Sequence, residues 1–328
     1  MLKLLKMNKF MILCCTGACV ALPCATQAAE PSYVGAELTY LNRSAEGQTL
    51  SLDNSTGATM GGNDAKLGFE PGLRVVFGTP AYGYMLDGHL SYFGRWTGKD
   101  SLTSPGENID PVRELASDDD DWTDAYRHSI DYESRMWGAG LMLSKGQAER
   151  VKYGLGLDYL DLREDFKWNT LDEASDLPGT NGNSNFKINT KNRLFGVTGA
   201  VSSGGWKLGQ SVTAGAGLKA GIFANWAKQS ASFENDLPST ADLGEGSSSK
   251  TRPAFLLEAQ AKLDFAVAKT MTLSLGYRVA YLNGVALASE QVTFGNQAGG
   301  AAFNDRLGKL DFGSLFMHGA FVTLKGTF

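Results

Sequence analysis

After residue 29 no apolar run is long enough to cross a membrane as a helix, yet apolar side chains recur again and again at every second position. That period belongs to β-strands whose two faces meet different surroundings, since successive side chains point to opposite sides. Val34, Ala36, Leu38 and Tyr40 alternate with Gly35, Glu37 and Thr39. Phe69, Leu73, Val75 and Phe77 are interleaved with Glu70, Gly72, Arg74 and Gly78, and Tyr82, Tyr84, Leu86, Leu90 and Tyr92 with Gly83, Asp87, His89 and Ser91. Further runs are read at about 129–144, 150–167, 187–202, 207–228, 254–268, 270–283 and 316–328. The clearest sets Leu218, Ala220, Ile222, Ala224 and Trp226 against Lys219, Gly221 and Asn225, and Phe255, Leu257, Ala259, Ala261 and Leu263 against Glu258, Gln260, Lys262 and Asp264. Trp137–Leu141 and Asp158–Leu162 fit either register.

The links between runs carry as much information. Those near Thr79-Pro80, Lys145-Gly146-Gln147, Ser203-Gly204-Gly205 and Lys269-Thr270 are short, whereas those at 43–66, 94–126, 168–186, 229–252 and 284–315 are long. Strict alternation of short and long links marks a single-chain barrel with short turns on one side of a membrane and long loops on the other. The expected fold is therefore all-β, a transmembrane antiparallel up-and-down β-barrel of about ten strands with room for twelve, long external loops and short periplasmic turns. Both termini would lie on the periplasmic side, with Phe316 to Phe328 closing against Ser32 to Asn42. Aromatic side chains concentrate at the two water–lipid boundaries of such barrels. Tyr40, Tyr92, Trp96, Trp168, Trp226 and Tyr281 are expected at the outer boundary, and Trp206, Phe255 or Phe265, and Phe328 at the inner one.

The amino terminus predicts export. Lys3, Lys6 and Lys9 precede an apolar run from Phe10 to Val20 and then small residues ending Thr26-Gln27-Ala28-Ala29, the order of a cleaved secretory signal. Residues 1–29 are read as that signal and 30–328 as one barrel domain, which implies an integral location in the outer membrane. Cys14, Cys15, Cys19 and Cys24 all fall inside the signal, so the mature chain is expected to hold no thiol, disulfide or cysteine ligand. Thr16 before Cys19 and Pro23 before Cys24 depart from the pattern of an acylated cysteine. Removing three signal lysines and no acid takes the formal charge from −5 to −8. A nucleic-acid partner is then excluded, because phosphate backbones demand a basic surface.

The ending Phe316-Met-His-Gly-Ala-Phe-Val-Thr-Leu-Lys-Gly-Thr-Phe328 resembles the last strand of outer-membrane barrels, in which the terminal aromatic is read by the barrel-assembly machinery. Residues 150–328 resemble a β-barrel porin family of diderm bacteria, the beta barrel porin-7 type. The segments that carry the resemblance are Tyr153–Phe166, Lys191–Gly196, Lys219–Asn225 and Leu275–Leu287, the last being the most specific. It implies a barrel and presumes a pore, and it supplies no catalytic or ligand residues to carry across.

Several constellations bear on chemistry. Asp87 and His89 lie two apart on one strand and should face the same way, as an acid orienting an imidazole would. A hydrogen bond in the lumen is the plainer reading, and His128 and His318 show no serine or acid partner in sequence. Asp118–Asp121 with Asp124 could attract cations, but the spacing of an ordered Ca²⁺ site is absent. The inward faces are expected to carry Glu37, Glu70, Arg74, Asp87, Lys152, Lys219, Glu258, Lys262, Asp264 and Arg278 as lumen-lining residues paired with one another. With about ten strands the lumen would be narrow, since eight are nearly filled by side chains. The expectation is thus a non-enzymatic, cofactor-free barrel acting as a narrow porin-like channel for small solutes or ions. The alternatives are a non-conducting structural or surface-display barrel and, less favoured, an outer-membrane hydrolase. Expected partners are outer-membrane lipid and the assembly machinery, the latter through Phe328; sequence leaves the oligomeric state open.

Overall fold

A computed structural model describes residues 31–44, 47–113, 122–146, 151–173, 184–234, 244–292 and 309–328. The expected signal segment and the Asp118–Asp121 run lie outside the described residues.

Ten antiparallel strands close into a barrel: β1 (Tyr33–Arg43), β4 (Phe69–Ala81), β5 (Tyr84–Thr103), β7 (Arg127–Gly146), β8 (Val151–Leu171), β9 (Asn185–Lys207), β10 (Val212–Glu234), β11 (Gly244–Ala268), β12 (Met271–Val285) and β13 (Gly313–Thr327). Each pairs with its neighbours in the chain, and β13 closes on β1 from Tyr33 opposite Thr327 to Arg43 opposite Met317. Closure satisfies both edges, which is the condition for strands to stand in hydrocarbon. The remaining three strands, β2 (Thr49–Asp53), β3 (Thr59–Gly61) and β6 (Ile109–Pro111), form a small separate sheet from two of the long links.

The strands differ from the sequence reading chiefly in length. β9, β10 and β11 run 23, 23 and 25 residues, about twice what a bilayer requires. Of the stretches read as long loops, 229–252 is in large part strand, with β10 reaching Glu234 and β11 starting at Gly244 beyond the apolar band. The first short link also falls later than Thr79-Pro80. Tyr82 and Gly83, at φ 51° and 77°, make the two-residue turn, and positive φ at both central positions is what a tight hairpin of this hand needs.

The band itself is sharply bounded. Val151, Tyr153, Leu155 and Leu157 of β8 are exposed outward in succession, and Asp161, Arg163, Asp165 and Lys167 follow on the same face above Tyr159. Each barrel strand places one aromatic near this upper boundary: Tyr40, Phe69, Tyr92, Trp137, Tyr159, Phe195, Trp226, Phe255, Tyr281 and Phe316. Exposed apolar surface on this scale is stable against lipid, with the aromatic ring marking the interface. Trp137 and Leu141 face outward and Asp158 and Leu160 inward, which settles the two runs that sequence left in either register. Phe255 belongs to this upper ring rather than the lower boundary. Trp96 and Trp168, expected at the outer boundary, instead point into the barrel and are fully buried. On β5 the switch is made at Gly94, whose φ of 128° accompanies a register shift between Tyr92 and Gly94 that turns Trp96 inward.

Candidate functional site: a charged chamber beneath an apolar plug

Because side chains alternate, the inward residues of neighbouring strands form layers up the barrel. The layers nearest the termini are polar. Glu37, Glu70, Arg74, Asp87, Lys152, Lys219, Glu258, Lys262, Asp264 and Arg278 all occupy inward-facing positions. The Arg278 guanidinium reaches Glu37 at 2.9 Å and Glu258 at 3.3 Å, with the ring of Phe321 beneath it at 4.8 Å. Thr323 donates its hydroxyl to Glu37 at 3.0 Å. Lys219 meets Asp158 at 2.9 Å, Lys152 meets Asp87 at 3.2 Å and Lys262 meets Asp264 at 2.9 Å. Glu70 stands higher, with its Cβ beside the Gly94 bulge.

Asp158 is the member that sequence reasoning missed, because its run could be read in either register. It also draws the hydroxyl of Thr198 and faces His89 at 3.3 Å. The Asp87–His89 combination therefore does not form a unit. Asp87 is taken by Tyr33 at 2.6 Å, by Ser144 and by Lys152, while His89 turns to Asp158. Arg74, Asp87, His89, Asp158, Lys219 and Glu258 line a cavity of about 210 Å³. Side-chain exposure rises toward the terminus end, from 4% at Arg278 through 16% at Lys219 to 32% at Lys262, so the chamber opens on that side.

On the other side it ends at an apolar layer. Leu41, Met136, Leu160, Leu256, Ala280, Leu282 and Met317 face one another above the charged groups, each less than a tenth exposed. Leu194, Phe223, Leu162, Phe166 and the two inward tryptophans continue the packing upward. Little room for water is left among them, about 30 Å³ against this layer, and no one of these side chains is more than 9% exposed. The links fold in to finish the plug: Leu50 and Met60 from the small sheet, Leu67, Ile109 and Trp122, and the segment Val285–Val292 after β12.

That last segment is clipped by side chains acting as backbone partners. Asn192 donates to the Ala286 carbonyl at 2.8 Å and accepts from its N–H at 2.8 Å, and Asn225 donates to Gly284 and to Asn192 at 2.9 Å. Nearby, Glu164 pairs with Arg43, both with wholly buried side chains. It also accepts from the Tyr132 hydroxyl at 2.8 Å, the Ala288 N–H at 2.8 Å and the Ser134 hydroxyl at 3.2 Å. A buried carboxylate costs several kcal/mol to desolvate and persists where its oxygens are met in this way.

Two further histidines sit against the plug and on the outer wall. His128, which showed no serine partner in sequence, has Ser51 Oγ at 2.8 Å from its Nδ1. Both are fully buried, and Trp122 and Trp168 pack over the imidazole, leaving no room for a substrate. His318 faces outward, with Nδ1 2.6 Å from the Tyr277 hydroxyl and the rings of Phe69 and Phe316 on either side. Among the described residues no three His, Cys, Asp or Glu gather as a metal site would require.

Comparison with known protein families finds no match, and comparison with curated proteins finds none. Among solved structures the chain is similar to Neisserial surface protein A, at 10% identity over 92% of this chain and 100% of that one, with a TM-score of 0.28. It is similar to the outer membrane protease OmpT of Escherichia coli at 11% identity over 92% and 99%, TM-score 0.40. The translocator domain of the autotransporter NalP from Neisseria meningitidis matches at 13% identity over 92% and 90%, TM-score 0.38. The chain's own geometry establishes a closed, ten-stranded, antiparallel transmembrane β-barrel with an internal charged chamber and an apolar plug.

Proposed function

We propose that the protein resides in a bacterial outer membrane with its termini and short turns toward the periplasm. There it acts as a non-conducting barrel with a structural or surface-presenting role. The observation that carries this reading is the buried layer from Leu41 to Met317, which separates the chamber from the strand extensions and links above it. Moving an ion past it would strip its hydration without offering compensating groups. Outer-membrane lipid is the partner of the apolar band. The assembly machinery is the partner of Phe328, whose ring is exposed and whose N–H donates to the Ser32 carbonyl at 2.9 Å.

A narrow porin-like channel for small solutes or ions is the second reading, favoured by the water-accessible, mixed-charge chamber. Planar-bilayer recording on the purified full chain separates the two. The non-conducting reading expects no unitary steps at either polarity, whereas steady steps in most insertions would establish the channel. Hydrolysis of ester or peptide substrates without conductance would favour the enzyme alternative instead.

A further inference from the structure

Directly above the aromatic ring, the outward face of β7, β8, β9 and β10 turns basic in one row. Arg135 lies opposite Arg163, Arg163 opposite Lys191, and Lys191 opposite Lys228. Like charges placed directly across a sheet destabilise it, so four cations abreast call for an anion. The carboxylates at hand are largely engaged. Asp161 holds Arg163 at 2.7 Å and approaches Arg193 at 3.9 Å, and Glu133 is held by Arg95 at 2.7 Å, leaving Asp165 beside the row. Arg135, Lys191 and Lys228 have no ion-pair partner among the described residues. The Lys191 ammonium, in the part of β9 above the band, sits below its ordinary pKa. Desolvation pushes it down first, followed by Arg163, Arg193 and Lys228.

A groove of about 500 Å³ lies over the row, with Asn189, Ser230, Ser247 and Ser249 adding polar groups to its lining. Its height is informative. Arg135 and Lys228 stand two residues above Trp137 and Trp226, and Arg163 and Lys191 four above Tyr159 and Phe195. At the strand rise this is roughly 7–13 Å beyond the aromatic ring, which is headgroup depth.

We propose that this row docks the phosphate groups of an anionic glycolipid in the outer leaflet, whose acyl chains lie along the apolar band below. Phosphate oxygens accept several charge-assisted hydrogen bonds at once, from guanidinium and ammonium groups alike. The inference rests on the outward orientation proposed above.

The test titrates the purified full chain in detergent with a diphosphorylated glucosamine-based glycolipid, its dephosphorylated form and inorganic phosphate. Gel migration with and without boiling, run on each sample, shows whether the barrel itself is closed. Replacing both Lys191→Gln and Lys228→Gln should weaken glycolipid binding roughly tenfold, while Lys99→Gln, whose partner is Asp131 on the neighbouring strand, leaves it unchanged. The dephosphorylated lipid should bind the unaltered chain no better than the phosphorylated lipid binds the double variant. Equal binding by a folded double variant, or by the dephosphorylated lipid, would overturn the proposal. So would competition by inorganic phosphate at the same concentration as the lipid, which would make the row a free-anion site.

Discussion

Replacing Glu164 with alanine is expected to lower the unfolding free energy by about 3–5 kcal/mol, because it strands the buried Arg43 guanidinium without its counter-charge. It also removes the acceptor of the Tyr132 hydroxyl and of the Ala288 N–H. The loss should therefore spread from the barrel wall into the link after β12. Urea unfolding of the refolded protein, followed by tryptophan fluorescence, reads it out, since Trp96, Trp122 and Trp168 all lie in the plug. Converting both partners, Arg43→Met with Glu164→Leu, should recover the part of the loss that comes from the stranded charge, while the Tyr132 hydroxyl and the Ala288 N–H stay without their acceptor. A Glu164→Ala protein as stable as the unaltered one would mean that the pair does not hold the plug.

The second large effect concerns closure. Gly319 of β13 lies against β1 so closely that an added Cβ would fall 2.0 Å from the Tyr40 carbonyl oxygen and 2.9 Å from the Leu41 Cα. Backbone cannot yield as a flexible side chain can, and overpacking of this kind costs about 1–3 kcal/mol or more. Gly319→Val should thus cut the closed, heat-modifiable fraction on a gel several-fold. Gly326→Val, on the same strand, would meet nothing nearer than the Val34 carbonyl oxygen at 4.0 Å and should leave that fraction unchanged. Equal closed fractions for the two variants would argue that β13 and β1 are not paired in this register.

How far the sequence was legible follows from what each signal encodes. The period of two reports which face a residue takes, so the ten strands, the closing pair and the inward placement of Arg74, Lys219 or Arg278 could be read directly. It says nothing about height or about what fills the lumen. Trp96 and Trp168 satisfied the composition of an interface girdle, and only a bulge at Gly94 and the full length of β8 put them inside. The plug was hidden for a related reason. Leu160, Leu194, Phe223 and Leu282 occupy inward positions that a water-filled barrel would give to polar groups, and Glu164, Asn192 and Asn225 look like ordinary lumen residues until the Val285–Val292 segment folds down to meet them. The basic row is not legible along the chain because it exists only across strands. Arg135, Arg163, Lys191 and Lys228 are far apart in sequence and become neighbours through register.

Substituted-cysteine labelling tests the plug above the chamber most directly, since all four cysteines precede residue 25 and fall in the segment expected to be removed on export. Gln260 lines the chamber and Lys228 the outer groove. In intact cells a membrane-impermeant thiol reagent should label Lys228→Cys and spare Gln260→Cys. Permeabilising the outer membrane should then expose Gln260→Cys from the periplasmic side. Labelling of Gln260→Cys in intact cells at the rate seen for Lys228→Cys would contradict the plug.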